Sequence, residues 1–310
     1  MARGVPKAGF RMTQNRQRIM ATAEQQGVAI DPLVFTQPID DIPLQYKVGA
    51  VPIPEPVYET DEEIKTRIVE RFTITEEIVL ATVMGVNPAL VISGPPGLGK
   101  SHVVDATIES LALQNVQYIK GRCSSAGLYK ALYEARFDGG LVVIDDSDSI
   151  FNDELSLNML KAATDSEKER LISWRAEHRM QDEEGNTLPN DFDFLGSLIF
   201  ITNIDFYKEA NSNSRLAPHL NAMVSRCLYI DLEMKSKRDY VCRIKQVLFE
   251  HNMFGDTITP QKKLDMFNFV EHNMESMREL SLRVCKKIAI LMSTYETSWE
   301  SKAKLLLCKG

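Results

Sequence analysis

The stretch Ala89-Leu-Val-Ile-Ser93, followed at once by Gly94-Pro-Pro-Gly-Leu-Gly-Lys-Ser101, decides the fold. The first five residues form a short apolar run of buried-strand character. The next eight fit the pattern GxxxxGK[ST], and His102 to Leu113 continues as a helix. Strand, glycine-rich loop and helix in that order are the context in which such a loop cradles phosphate. Its glycines let backbone N–H groups curl around an anion, and the helix N-terminus adds its positive dipole end. The candidate nucleotide-binding set is therefore Gly94, Pro95, Pro96, Gly97, Leu98, Gly99, Lys100, Ser101 and His102. Lys100 would reach the β- and γ-phosphates, and the Ser101 hydroxyl would bind Mg2+. A glycine-rich turn carrying a surface lysine is the plain alternative, and it leaves the flanking strand and helix unexplained.

Downstream, short apolar runs alternate with helical stretches. Val116–Ile119 is a strand, and Ser124 or Ser125 caps a helix through Arg136. Leu141–Ile144 is a strand ending in Asp145-Asp146, and Leu155–Thr164 is helical. Leu198–Ile201 ends in Thr202-Asn203, and Cys227–Leu232 is a fifth run. Upstream, Ile64, Ile68, Val69 and Phe72 mark an amphipathic helix behind the acidic turn at Asp61. A second helical stretch, Glu76–Met84, ends at Asn87-Pro88. The expectation is an α/β fold: a P-loop αβα sandwich around a mostly parallel five-stranded sheet. After Lys235 the strands stop. Residues 240–250, 261–274 and 281–294 read as helices of a small all-α lid, with a tail behind them. The expected division is an arm over 1–56, a core over 57–234 and a lid over 235–310.

Composition supports a folded chain. Of 310 residues, 44% are hydrophobic and 25% charged, which excludes wholesale disorder. A net charge of −7 argues against a polybasic nucleic-acid binder, while leaving room for a local basic surface. No apolar run reaches transmembrane length, and no apolar segment follows Arg3 and Lys7, so neither a membrane span nor a secretory signal is expected. Cys123, Cys227, Cys242, Cys285 and Cys308 are scattered and read as free thiols of a reducing, cytoplasmic setting. Residues 1–56 hold seven of the 13 prolines. Their first 23 residues carry Arg3, Lys7, Arg11, Arg16 and Arg18 without one acid, a basic arm suited to docking or to DNA, or simply a solvated tail.

Acids at the carboxyl ends of such strands lie where ligands gather. Asp145 would hold Mg2+ beside Ser101. Asp148, Ser147 and Ser149 compete to cap the next helix. The order of these features, with Asn203 ending a strand, Asn221-Ala-Met-Val-Ser-Arg-Cys227 before the last strand and Glu279-Leu-Ser-Leu-Arg283 opening a late helix, resembles the AAA+ ATPases over roughly 57–294. The resemblance implies ATP and Mg2+ as cofactors and the following roles. Asp145 is the Walker B acid. Asp146 stands where a glutamate normally activates the attacking water, and it is one methylene shorter. Asn203 is at the sensor 1 position. Arg226 is at the arginine-finger position, with Arg215 as a rival. Arg283 is at the sensor 2 position. Val57 or Tyr58 would line the adenine pocket. The triplet Ser225-Arg226-Cys227 is similar to the clamp-loader form of the finger motif.

Between Asp145 and Asn203 lies an insert. Residues 170–178 have strand character, 182–186 signal a turn, and 187–194 return, a β-hairpin over 170–194 like that of the Holliday-junction motor and other ring ATPases. Trp174, Arg175, His178 and Arg179 would meet a nucleic-acid backbone, or Trp174 would pack on the core. Tyr129 reads as a helix-face core residue rather than a pore aromatic. The implied activity is ATP hydrolysis at the subunit interfaces of a homo-oligomeric ring, a hexamer first, of viral or bacterial origin and acting on DNA through the arm and hairpin. The alternative is a nucleotide-gated platform or protein-remodelling chaperone with slow or no turnover, which the short Asp146 favours.

Overall fold

The computed structural model describes residues 59–165, 170–175, 180–181, 185–212 and 217–310. The arm over 1–56, Val57, Tyr58, His178, Arg179 and Arg215 lie outside the described residues. The described chain opens with α1 (Asp61–Val83), whose Thr60 and Glu63 form a reciprocal capping box. The two helical stretches expected there are one 23-residue helix. Thr75, between the two stretches, is buried, and its hydroxyl donates to the Arg71 carbonyl at 2.7 Å, so its polar group is satisfied inside the helix.

The main sheet contains β1 (Ala89–Ser93), β2 (Val116–Lys120), β3 (Leu141–Asp145), β6 (Ser197–Thr202) and β7 (Leu228–Asp231). Its order is β2-β3-β6-β1-β7, and every pairing is parallel. The core strands β1, β3 and β6 are buried on both faces, which is why they read as continuous apolar runs. Alternate residues feed different cores. Val91, Ile144 and Phe200 pack with α3 (Ser125–Glu134) and α4 (Glu154–Ala163), whereas Ile92, Val143 and Ile199 pack with α1 and α2 (Lys100–Ser110). Each such side chain contributes about 1.5–3 kcal/mol on burial.

Ser124 caps α3, accepting from the Gly127 N–H. Asp148 does not cap the next α-helix. It begins a 3-10 turn (Asp148–Asn152) and accepts from the Thr202 hydroxyl at 2.7 Å, while Asp153 caps α4. The five extra residues of that turn displace the helix start beyond the reach of residues 147–149. The insert contains β4 (Leu171–Ser173) antiparallel to β5 (Asp191–Asp193), with a further bridge between Gln181 and Thr187. Its base packs on α3. Tyr129 is fully buried, donates to the Pro189 carbonyl at 2.7 Å, and lies 5.1 Å from the Phe192 ring and 5.8 Å from Trp174. Trp174 therefore packs on the core, and Arg175 pairs with Asp191 at 3.0 Å.

Helices α5 (Phe206–Ala210) and α6 (Ala217–Arg226) lead into β7. Then come α7 (Lys237–Phe249), α8 (Pro260–Asn273), α9 (Leu282–Thr294) and α10 (Trp299–Leu307), which share their own hydrophobic cluster. The expected tail is thus a helix. Trp299 and Ala303 fall one turn apart on its buried face, and the Trp299 ring meets Phe269 edge-on at 5.5 Å. Asp239, only 1% exposed, fastens this helical part to α1. It accepts from Arg67 at 2.9 Å, the Lys235 N–H at 3.0 Å and the Ser236 hydroxyl at 2.7 Å. Arg71 adds a bond to the Asp231 carbonyl at 3.0 Å.

Candidate functional site

The loop between β1 and α2 is shaped by backbone conformations that side chains resist. Gly97 (φ 74°) and Gly99 (φ 100°) both lie in the left-handed region. A Cβ on Gly97 would come 2.7 Å from that of Ser281, so the lid sits directly on the loop. The Leu282 N–H donates to the Gly97 carbonyl at 2.9 Å. Gly99 precedes α2, whose first N–H groups have no intrahelical partner and face the concavity.

Lys100 is 6% exposed. Its ammonium donates to the carbonyls of Gly94 (2.6 Å) and Pro95 (2.9 Å) and to Asn203 Oδ1 (2.8 Å). Burial pushes its pKa down to about 8; the carboxylates of Asp146 and Asp145 oppose this, and Arg283 reinforces it. Asn203 then donates through Nδ2 to Asp146 Oδ1 at 2.8 Å. One amide thus links the loop lysine to the second acid. Asp146 itself has φ 49°, an uncommon conformation for a non-glycine residue, and its N–H is held by the Ile201 carbonyl at 3.0 Å. Beside it, the Ser101 hydroxyl donates to Asp145 Oδ1 at 3.0 Å, and Lys120 lies 3.6 Å from the other oxygen. Burial raises Asp148 above the usual carboxylate range, against the Thr202 hydrogen bond.

A cleft of about 1110 Å3 opens over this loop, between α1 and α2 on one side and α7 and α9 on the other. Pro96, Gly97, Gly99, Lys100, Ser101 and His102 line it. Pro95 and Leu98 act through their main chains, the first binding Lys100 and the second facing Arg243, while the Leu98 side chain is core. Asp146, Asn203 and Arg283 also border the cleft. Arg226 does not: it ends α6, donates to its own helix at Ala222 and lies 3.7 Å from Asp165. Arg243 and Gln246 of α7 line the cleft without having been singled out in the sequence, and Phe72, read there only as part of the α1 stripe, lines it too. The signal available was an arginine within the apolar stripe of Val241, Ile244 and Leu248.

The residues present fit a nucleotide and Mg2+. Gly97 and Gly99 hold the left-handed backbone that lets loop N–H groups curl around an anion. The oxygen pair of Ser101 and Asp145 suits a hard cation that takes its other ligands from phosphate and water. Among the described residues no group of three or more His, Cys, Asp or Glu forms a self-sufficient metal site.

Five parallel strands placed fifth-first-fourth-third-second in chain order, a glycine-rich loop after the first, acids at the end of the third, an asparagine after the fourth and a helical lid match the arrangement expected from the resemblance to AAA+ P-loop chains. Over 253 residues it is 31% identical to the "Uncharacterized 36.7 kDa protein in nrdC-mobD intergenic region" of Enterobacteria phage T4, covering 80% of this chain and 77% of that one. It belongs to that protein's family. No family model matches the chain. Among solved structures, a mutant of Thermotoga maritima RuvB aligns over 78% of this chain and 69% of its own at 14% identity and a TM-score of 0.45. C. elegans PCH-2 aligns over 80% and 69% at 13% identity and a TM-score of 0.42. Replication initiator DnaA bound to AMPPCP and single-stranded DNA aligns over 74% and 63% at 13% identity and a TM-score of 0.38.

Proposed function

We propose that this chain is an ATPase that binds ATP and Mg2+ in the cleft over residues 94–102 and hydrolyses it at the subunit interfaces of a homo-oligomeric ring, acting on DNA. One observation carries the hydrolytic reading: Asn203 joins Lys100 to Asp146, which sets a cation, an amide and a carboxylate in a row beside the Ser101–Asp145 pair. Mg2+ would neutralise phosphate charge and be held by Ser101 and Asp145. Lys100 would release its three internal acceptors and donate to phosphate oxygens. Asn203, relieved of Lys100, keeps its amide N–H₂ on Asp146 and offers its carbonyl to a water. Asp146, one methylene shorter than glutamate and on a left-handed backbone, meets Asn203 and would take the water's proton.

Arg226 lies at a helix end away from its own cleft, as a residue serving a neighbouring subunit's phosphate would. The basic first 23 residues support DNA as the substrate, in the host cytoplasm, as the phage relative fits, whereas in the hairpin Trp174 packs on the core and Arg175 pairs with Asp191. No helix among the described residues is long and apolar enough to cross a membrane. The second reading is a nucleotide-gated platform, favoured by aspartate at 146. Steady-state hydrolysis measured across protein concentration, with and without DNA, separates the two. Turnover that rises with concentration and DNA and falls in Arg226→Ala and Asp146→Asn supports the ring ATPase. Nucleotide binding without turnover refutes it.

A further inference from the structure

The lid contributes a cation that the loop and the strand ends do not account for. Arg243 is 6% exposed, and its guanidinium lies 3.4 Å from the centre of the Phe72 ring. Its Nη1 donates to Gln246 Oε1 at 2.7 Å, and its Nε makes a long 3.4 Å contact to the Leu98 carbonyl. Among the described residues no carboxylate hydrogen-bonds it. Glu76 acts on it only at a distance, and burial lowers its pKa to about 10. Buried arginines ordinarily have an anionic partner, because the cost of desolvating an unpaired cation is several kcal/mol. The third nitrogen, Nη2, makes no protein hydrogen bond among the described residues. It lies 3.7 Å from where a Cβ on Gly99 would be, at the rim of the phosphate cradle and at the start of α2.

We propose that Arg243 is a phosphate ligand supplied by the lid, its free Nη2 donating to the phosphate chain of the nucleotide bound over Gly97–Ser101. This inference rests on the nucleotide reading of the loop. Stacking on Phe72 and the bond to Gln246 fix the plane of the guanidinium before any ligand arrives, leaving one donor edge directed at the cleft. A phosphate there makes a charge-assisted bond with little ordering cost and supplies the countercharge that the protein lacks. Because α7 carries Arg243 while the α9 N-terminus bonds the Gly97 carbonyl, the lid would hold the anion through Arg243 and the loop beneath it through Leu282. Arg243 differs in this from Arg283, which is solvent-exposed.

The test compares Mg·ADP and adenosine affinities by calorimetry for the full chain and three variants, together with the thermal midpoint of each without ligand. In Arg243→Met, ADP affinity should fall at least tenfold and adenosine affinity should stay within about twofold. The ligand-free midpoint should hold or rise, since a desolvated cation has been removed. If that variant fails to fold, Arg243→Gln, which still donates to the Leu98 carbonyl, should show the same selective loss. ADP affinity within twofold of wild type in the folded variant overturns the inference. Lys100→Ala is the control. Its loss of ADP binding beside unaffected Arg243 variants rejects only the role of Arg243. ADP that fails to bind the wild type, or that binds Lys100→Ala equally well, overturns the nucleotide reading and this inference with it.

Discussion

Nucleotide binding should draw a proton onto Lys100. In the free protein burial lowers its pKa to about 8, although its ammonium has three hydrogen-bond acceptors. A bound phosphate chain places several negative charges beside Nζ and returns the group to its ordinary range, near 10.5 or above. Proton uptake per bound Mg·ADP then equals the deprotonated fraction of free Lys100. That fraction is about 0.1 at pH 7, about 0.5 at pH 8 and about 0.9 at pH 9. Apparent affinity should correspondingly fall about tenfold between pH 7 and pH 9. Calorimetry in two buffers of different ionisation enthalpy measures the uptake directly. The sign is fixed for stability as well. The folded pKa lies below the unfolded one, so between about pH 8 and 10.5 the unfolded chain binds more protons, and the Lys100 contribution to stability increases as pH rises through that window. An uptake below about 0.1 proton at pH 8 would falsify the description of Lys100 as a desolvated cation awaiting its anion.

Asn203→Ala should lower turnover about 10²- to 10³-fold while ADP affinity changes no more than about threefold, because the amide acts on the water and on Asp146 rather than on the diphosphate; stopped-assay kinetics beside calorimetry check this. Gly97→Ala places a side chain at φ 74° against Ser281. It should cost about 1–2 kcal/mol from the backbone alone, lower the melting midpoint by about 2–8 °C and weaken ADP binding more than tenfold, so an unchanged midpoint in a thermal scan contradicts the close lid contact. Asp239→Ala leaves Arg67 paired with Glu59 alone and takes the acceptor from the Lys235 N–H and the Ser236 hydroxyl, and should destabilise by about 1–3 kcal/mol in urea titration. Burial raises the Asp239 pKa, but the Ser236 hydroxyl and Arg67 outweigh it and hold the carboxyl below its ordinary range, so its contribution is present above about pH 4 and declines as pH falls further.

The sheet was legible because a parallel sheet covered on both faces leaves uninterrupted apolar runs, and β1, β3 and β6 are such runs. The proximity of Lys100, Ser101, Asp145, Asp146 and Asn203 followed from the same patterns, since each lies at or just beyond the carboxyl end of a strand or in the loop after β1. What escaped depends on contacts far apart in sequence. Arg243 reads as one polar residue in a helix until Phe72 and Gly99, from α1 and the loop, are placed around it. Trp299 and Ala303 form too short a stripe to mark a nine-residue helix, which is fixed instead by packing on Phe269. Asp148 has an acid's usual qualification for a helix cap, but the hydroxyl at the end of β6, some fifty residues onward, claims it.

The strand order also sets a schedule for synthesis. β1 is made early yet pairs on one edge with β6, about 110 residues later, and on the other with β7, about 140 residues later. At ribosomal speeds of about 5–20 residues per second, that interval is roughly 5–30 s. Until β6 appears, a strand apolar except for Ser93 waits with two unpaired edges, a template for association with another nascent copy. Among the described residues the long α1, finished before β1 emerges, is the first element available to cover one face of it. Its apolar stripe through Ile68, Phe72 and Val79 therefore shields the newborn strand before it serves the finished sheet.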